Sequence, residues 1–241
     1  VVLNPYHQVD MKTGEKTVWK MFLDRYEVTY TLEDVVQNWK KFDRCFAFHG
    51  ICYNREFYQR HRYELPEKIF YEDHEYTTIP CSYAARIYPI DLYLYQYLVG
   101  NAEQSVSVTN RLKRMSHVEK VTEDLIRHYN AHPEFSDAAK EYIYKKAEGV
   151  ILSYYVAGCI MNPNKRTGRS DCLRYNTMIR NLNPEIWNRV SRKFRIYLWM
   201  NRFGISYPMY EKMLHSGVYN KLRHNHKLEK ENEAKTEENL K

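Results

Sequence analysis

The apolar positions along this chain change their period once. Up to about residue 107 they fall in short runs bounded by turn residues, and from Asn110 onward they recur at steps of three and four. Residues 1–30 read as extended, with Val1-Val2-Leu3 opening as a strand. Lys12-Thr13-Gly14-Glu15 reads as a turn between Gln8-Val9-Asp10-Met11 and Lys16-Thr17-Val18-Trp19, which predicts a hairpin. Thr31-Leu32-Glu33-Asp34 resembles a capping signal ahead of an apolar-periodic run through Trp39 and Phe42, so a helix is predicted at about 32–43. The stretch from Cys45 to Tyr53 is apolar and β-prone, and Asn54 to Tyr63 reads as a short helix. Leu65-Pro66 marks a loop, because a residue before Pro is pushed out of the helical region. Glu72 to Arg86 then reads as a helix bent near Pro80. The Tyr-, Leu- and Ile-rich run from Ile87 to Val99 reads as one strand ended by Gly100-Asn101.

The second part is helical by pattern. Leu112, Met115, Val118, Val121, Leu125, Ile126 and Tyr129 form one stripe of an amphipathic helix over 110–129. Ser136 caps a second helix from Asp137 to about Ile160, closed by Asn162-Pro163-Asn164. A third covers roughly 169–181. Asn183-Pro184-Glu185 supplies a cap and a first-turn proline for a fourth, reaching about Phe203, and Pro208 begins a short last one. From Lys221 the chain is charged and polar and is expected to lack fixed structure. The predicted plan is an α/β part over 1–107, a mostly α-helical region over 108–220 and a charged tail over 221–241, helix-rich overall.

At 241 residues the chain is long enough for a sizeable core, and its 23 Tyr are unusually many. Tyr has an apolar body and a polar tip, which suits core rims and half-wet clefts. The net charge of +7 favours anionic partners, and the interspersed signs fit phosphate handling better than DNA, so nucleic acid is not the expected partner. Five Cys occur, at 45, 52, 81, 159 and 172, with no Cys-x-x-Cys pair. That spacing argues against a disulfide framework or a zinc site and points to a reduced, cytoplasmic setting. No run is apolar and long enough to span a bilayer. The first residue is Val, which fits a segment of a longer protein.

Two motifs carry candidate chemistry. Phe70-Tyr71-Glu72-Asp73-His74-Glu75-Tyr76 puts an acidic pair at a helix start, where a carboxylate is stabilised by the helix dipole. About thirty residues later comes Tyr95-Gln96-Tyr97-Leu98-Val99-Gly100-Asn101-Ala102-Glu103-Gln104-Ser105-Val106-Ser107. Together these resemble the second half of a bacterial family 2 glycosyltransferase of the GT-A type. The likeness covers about residues 1–130, with its core pattern in 46–107. It implies sugar transfer from a nucleotide-sugar donor to the hydroxyl of a glycan or lipid-linked acceptor, with inversion, in cell-surface polysaccharide synthesis at the inner face of the membrane. It also implies a divalent metal, Mn or Mg, held by an Asp-x-Asp motif of the nucleotide-binding half. No such motif follows a strand here and no Gly-rich phosphate loop is present, so that half is expected upstream of Val1, and this chain alone is expected to be a poor enzyme.

By the resemblance Asp73 is the base that takes the acceptor's proton, and Glu72 is its orienting or acceptor-binding neighbour. Read as residues alone, the pair is a plain helix start, since an isolated Glu-Asp is common. His49 and Gly50 correspond to a place that often faces the acceptor. Gln104, Ser105 and Ser107 are hydrogen-bond donors toward a diphosphate or acceptor sugar, or, for the two serines, caps of the next helix. The family's usual Arg after the strand-ending Gly is Asn101 here, which removes a diphosphate contact. Arg166, Arg169, Arg174 and Arg180 make a basic stretch that is either a solvated helix face or a contact for polyanions or an anionic membrane surface. His224-Asn225-His226, in the charged tail, lacks the strand context of a nuclease. A second reading of the whole chain is therefore a basic helical binding module for polyanions or a protein partner, without catalysis.

Overall fold

A computed structural model describes residues 1–100 and 107–215. Gln104 and Ser105 of the second motif, and the charged tail, lie outside the described residues. The first part begins with β1 (Val2–Leu3), β2 (Tyr6–Asp10) and β3 (Lys16–Trp19). β2 and β3 are the expected antiparallel hairpin, with Tyr6 opposite Trp19 and Val9 opposite Lys16. Its turn is set by Asp10, whose Oδ1 accepts from the Lys12 and Thr13 amides at 2.8 and 2.9 Å, and by Gly14 at φ 72°. The capping signal at Thr31 is a full capping box with Asp34. It starts α1 (Leu32–Gln37), which passes through Asn38 into α2 (Trp39–Phe42).

The β-prone stretch after it is strand only at β4 (Ile51–Cys52). Asp43–Cys45 and Phe48–Gly50 are single 3-10 turns, a tight path that sends Cys45 and Phe46 into the core. α3 (Arg55–Arg60) follows, capped by Asn54. α4 (Asp73–Thr78) stops short of Pro80, which has no N–H to continue it, and a 3-10 turn covers Pro80–Tyr83. The single strand expected over 87–99 is divided into β5 (Tyr88–Pro89) and β6 (Tyr95–Val99). β5 runs parallel to β1 in the sheet β4-β1-β5, and β6 runs parallel to β2 in the sheet β3-β2-β6. The β1–β5 ladder runs on past Pro89, with Ile90 N donating to Leu3 O at 2.9 Å, and stops where Pro5 has no N–H to offer.

The helical region is α5 (Val108–Lys113), α6 (Met115–Ala131), α7 (Asp137–Tyr155), α8 (Lys165–Leu182), α9 (Pro184–Arg202) and α10 (Tyr207–His215). Ser136 and Asn183 cap α7 and α9 as their residue types predict. α8 begins four residues earlier than expected, because the Asn164 side chain accepts from the Thr167 amide. The protein is thus helix-rich, with two small mixed sheets in its first half.

Two apolar clusters fill the interior. One lies among α6, α7, α8 and α9, and the other under the sheets and α1. α7 contributes to both: Tyr142 is in the second cluster and its neighbour Ile143 in the first.

The end of α7 widens into a π-helical segment, Val156–Met161, whose outer carbonyls are met by side chains. Lys165 Nζ donates to Ile160 O at 2.7 Å, and Asn201 Nδ2 to Cys159 O at 2.9 Å. This segment crosses α8 backbone to backbone. A Cβ on Gly168 would fall inside the Gly158 carbonyl, and one on Gly158 would meet the Cys172 sulfur. Gly149, on α7, faces open space. Gly168→Ala is therefore expected to cost about 1–3 kcal/mol by forcing the helices apart. Gly149→Ala should stabilise by roughly 0.5–1 kcal/mol through helix propensity. Urea unfolding of the two variants should give shifts of opposite sign, and equal shifts would contradict the crossing.

Candidate active-site cavity

The chain leaves α3 through a loop that ends with Phe70 held in place. Its amide donates to His117 Nδ1 at 3.0 Å, and the Arg114 guanidinium lies 3.4 Å over its ring. Tyr71 then takes φ 73°, a left-handed backbone that a bulky residue occupies only when its surroundings impose it. This reversal turns the chain into α4, with Glu72 at the cap and Asp73 at the first helical position. The helix is tied from behind: Thr77 Oγ1 donates to Asp73 O at 2.9 Å, and Tyr142 OH donates to Thr77 O at 2.6 Å.

In front of this turn lies a cavity of about 440 Å³. Glu72, Asp73 and His74 line one side, and Phe48 and His49 come from the 3-10 turn before β4. Tyr97 comes from β6, and Arg111 and Met115 from the start of the helical region. Ser153, Tyr154 and Ala157, at the widened end of α7, close the cavity. Asp73 is exposed to the opening, while Glu72 is half-buried. Arg111 Nη2 reaches Ser153 O at 3.5 Å, which holds a cation across from the carboxylates. Tyr154 donates to Glu119 at 2.6 Å, and Glu119 pairs with Arg174.

His49 sits in an aromatic stack. Its ring is 4.0 Å from Tyr97 and 4.9 Å from Tyr95, with Tyr6 edge-on at 5.2 Å. Burial lowers its pKa, with the Asp73 charge opposing, so it is neutral at pH 7. Its Nδ1 is buried without a hydrogen-bond partner among the described residues. Asp73 acts on its other neighbours in the same sense. Burial lowers the pKa of His74 and brings Lys146 down to about 8, and in both cases Asp73 opposes the shift. Lys146 donates to Phe46 O at 2.6 Å, so a cation stands behind the acidic turn.

Three of the sequence-derived candidates, Glu72, Asp73 and His49, therefore meet in one cavity although their motifs are more than twenty residues apart. Gly50 does not line it. Gly50 is buried behind the wall, where a Cβ would lie 2.7 Å from Cys45 O and 2.9 Å from Asn4 O, so close backbone packing accounts for its identity. Ser107 is likewise off the cavity and caps α5 by accepting from the Asn110 amide at 3.4 Å. Sequence reasoning missed Tyr71, Arg111 and Tyr154. Tyr71 is part of the acidic motif and could have been included; the other two belong to helices whose packing brings them in. Among the described residues no three His, Cys, Asp or Glu side chains converge to hold a metal ion. No protein-family model, curated protein or solved structure matches the chain.

Beside the cavity, Glu75 turns inward from α4 and is fully buried. Burial, then the charge of Asp124, pushes its carboxyl up to about 8. Asp124 itself is paired with Lys120 at 2.5 Å, and Glu75 is protonated at pH 7. In the unfolded chain Glu75 ionises near 4.5. Its contribution to stability is therefore complete below that pH and is lost as pH rises toward 8. Glu75→Gln, which cannot ionise, is expected to be more stable than the parent at pH 8 by about 1–3 kcal/mol, with the advantage disappearing at pH 4. Denaturant titrations at the two pH values check this, and a pH-independent difference would sink it.

Proposed function

We propose that this chain forms the acceptor side of a glycosyltransferase of the family 2 type, with Asp73 as its base. The observation that carries the reading is the cavity where Asp73 and Glu72 face His49, Tyr97 and Arg111. A sugar acceptor needs such a mixed wall. Aromatic rings pack on the apolar faces of the ring, and a few polar groups fix its hydroxyls. Asp73 is open to the cavity mouth, Glu72 stands beside it, and the neutral His49 can accept or donate a hydrogen bond without competing for the proton.

In this mechanism the acceptor hydroxyl oxygen bonds to the anomeric carbon of the donor sugar. Its proton passes to the Asp73 carboxylate as that bond forms. The bond from the anomeric carbon to the diphosphate oxygen breaks on the opposite face, and the nucleoside diphosphate leaves with its electron pair. Configuration at the anomeric carbon inverts. Glu72 binds a second acceptor hydroxyl and sets the angle of attack. The divalent metal that the resemblance implies would neutralise the leaving diphosphate. The donor set among the described residues does not fit such an ion, and no step is assigned to it.

The test is sugar transfer by the enzyme carrying its nucleotide-binding half, assayed across a panel of nucleotide-sugars with glycan and lipid-linked acceptors. Asp73→Asn is expected to lower kcat about 10²–10⁴-fold while nucleotide-sugar affinity stays the same. Glu72→Gln should act mainly on acceptor KM. Normal turnover by the Asp73 variant would remove Asp73 as the base, and loss of donor binding instead of turnover would assign the cavity to the donor.

A further inference from the structure

The arginines that stand out in the sequence on α8 are largely engaged within the protein. Arg174 pairs with Glu119, Arg169 donates to Asn201 at 3.0 Å, and Arg180 lies 4.9 Å over the Trp187 ring. The next helix is different. α9 turns Ile186, Val190, Phe194 and Asn201 inward. The opposite face carries Arg192, Arg195, Ile196, Trp199, Arg202 and then Phe203, all exposed and recurring once per helical turn. Ile196 is 47% exposed, Trp199 56% and Phe203 67%, and the Trp199 and Phe203 rings lie 4.5 Å apart. Singly exposed apolar residues are ordinary; an aromatic pair and an isoleucine in line on one helix face are a patch.

The charges on this face are equally one-sided. No Asp or Glu occurs between Glu185 and Glu211. Arg189 and Lys193, toward the helix flank, pair with Glu141 and Glu148. Arg192, Arg195 and Arg202 form no ion pair among the described residues. A shallow recess lies among Arg192, Arg195, Ile196 and Trp199, so guanidinium groups and apolar surface meet at one spot.

We infer that this face of α9 docks the protein on an anionic lipid surface. Arg192 and Arg202 are separated by roughly 15 Å of helix, at 1.5 Å per residue. Three cations that form no ion pair among the described residues match a repeating array of anions over that length, and the apolar side chains between them match carbon rather than water. The headgroup and upper acyl layers of an acidic bilayer supply both, with guanidinium stems reaching up to phosphates and Trp199 lying at the boundary. A nucleic acid would match the arginines but leave Ile196 unburied. A protein partner would have to bring three carboxylates in register. No described helix is long and apolar enough to cross a membrane, so the contact is peripheral. The inference does not depend on the glycosyl-transfer reading, and its failure would leave that reading standing.

The experiment is co-sedimentation of the full chain with vesicles of phosphatidylcholine alone, and of three parts phosphatidylcholine to one part phosphatidylglycerol. Binding to the acidic vesicles only is expected, weakening as salt is raised. Arg192→Ala, Arg195→Ala and Arg202→Ala together should reduce it roughly a hundredfold, about fivefold for each basic residue at an anionic surface. Trp199→Ala should weaken it separately, and the blue shift of tryptophan emission on binding should vanish in Trp199→Phe. Because all these side chains are exposed, circular dichroism of the variants should match the parent. No sedimentation with acidic vesicles overturns the proposal, as does binding that the variants leave unchanged. A face that instead binds single-stranded DNA equally well, or that dimerises the protein through Trp199 without lipid, overturns it too.

Discussion

Tyr142 is the contact on which the arrangement of this protein depends. It sits on α7, fully buried, with its ring against Phe46 at 5.2 Å and Trp39 at 5.8 Å. Its hydroxyl donates to the carbonyl of Thr77 at 2.6 Å. One side chain thus ties a bundle helix, the loop after α2 and the back of the acidic helix to one another. A buried tyrosine hydroxyl must find a partner, and this one donates to the Thr77 carbonyl, so a polar contact in an apolar setting helps fix the register of α4 on α7. Lys146, one turn further along α7, repeats the device by donating to Phe46 O. The position of Asp73 follows from these two side chains of another helix.

The far end of the same helix serves the cavity differently. The π-helical widening at Val156–Met161 is made possible by Gly158 and Gly168, which let α8 approach until backbone meets backbone. Such widenings carry extra backbone demand, met here by Lys165 and Asn201. Tyr154 and Ala157, which belong to the bundle core, thereby reach the cavity wall together with Ser153. The same helical packing that places Ala157 also decides which face of α9 is turned outward.

Electrostatically, the cavity sets an exposed acidic side chain beside basic groups whose charged forms are disfavoured by burial. His49 and His74 are held uncharged by burial, and Lys146 is brought down to about 8. Asp73 opposes each of these shifts and forms no ion pair among the described residues. Glu75, two residues on, is driven the other way by burial and a second carboxylate.

The local elements were legible in the chain. The hairpin around Gly14, the box at Thr31, the caps at Ser136 and Asn183 and the period of α6 rest on interactions within a few residues, and those interactions survive whatever the rest of the protein does. So was the acidic pair at the start of α4. The elements that depend on distant partners were not. One strand became β5 and β6 because Pro5, far earlier in the chain, has no N–H to carry the β1–β5 pairing further, and the apolar stretch after α2 became 3-10 turns because Gly50 packs against Asn4 and Cys45 backbone. The convergence of Asp73 with His49, Tyr97 and Arg111 belongs to the same class, as does the difference between the engaged arginines of α8 and Arg192, Arg195 and Arg202, which form no ion pair among the described residues. Spacing along a sequence records which side of a helix a residue occupies. Whether that side meets a carboxylate, a cavity or water is set by how helices far apart in the chain pack, and that only the tertiary structure decides.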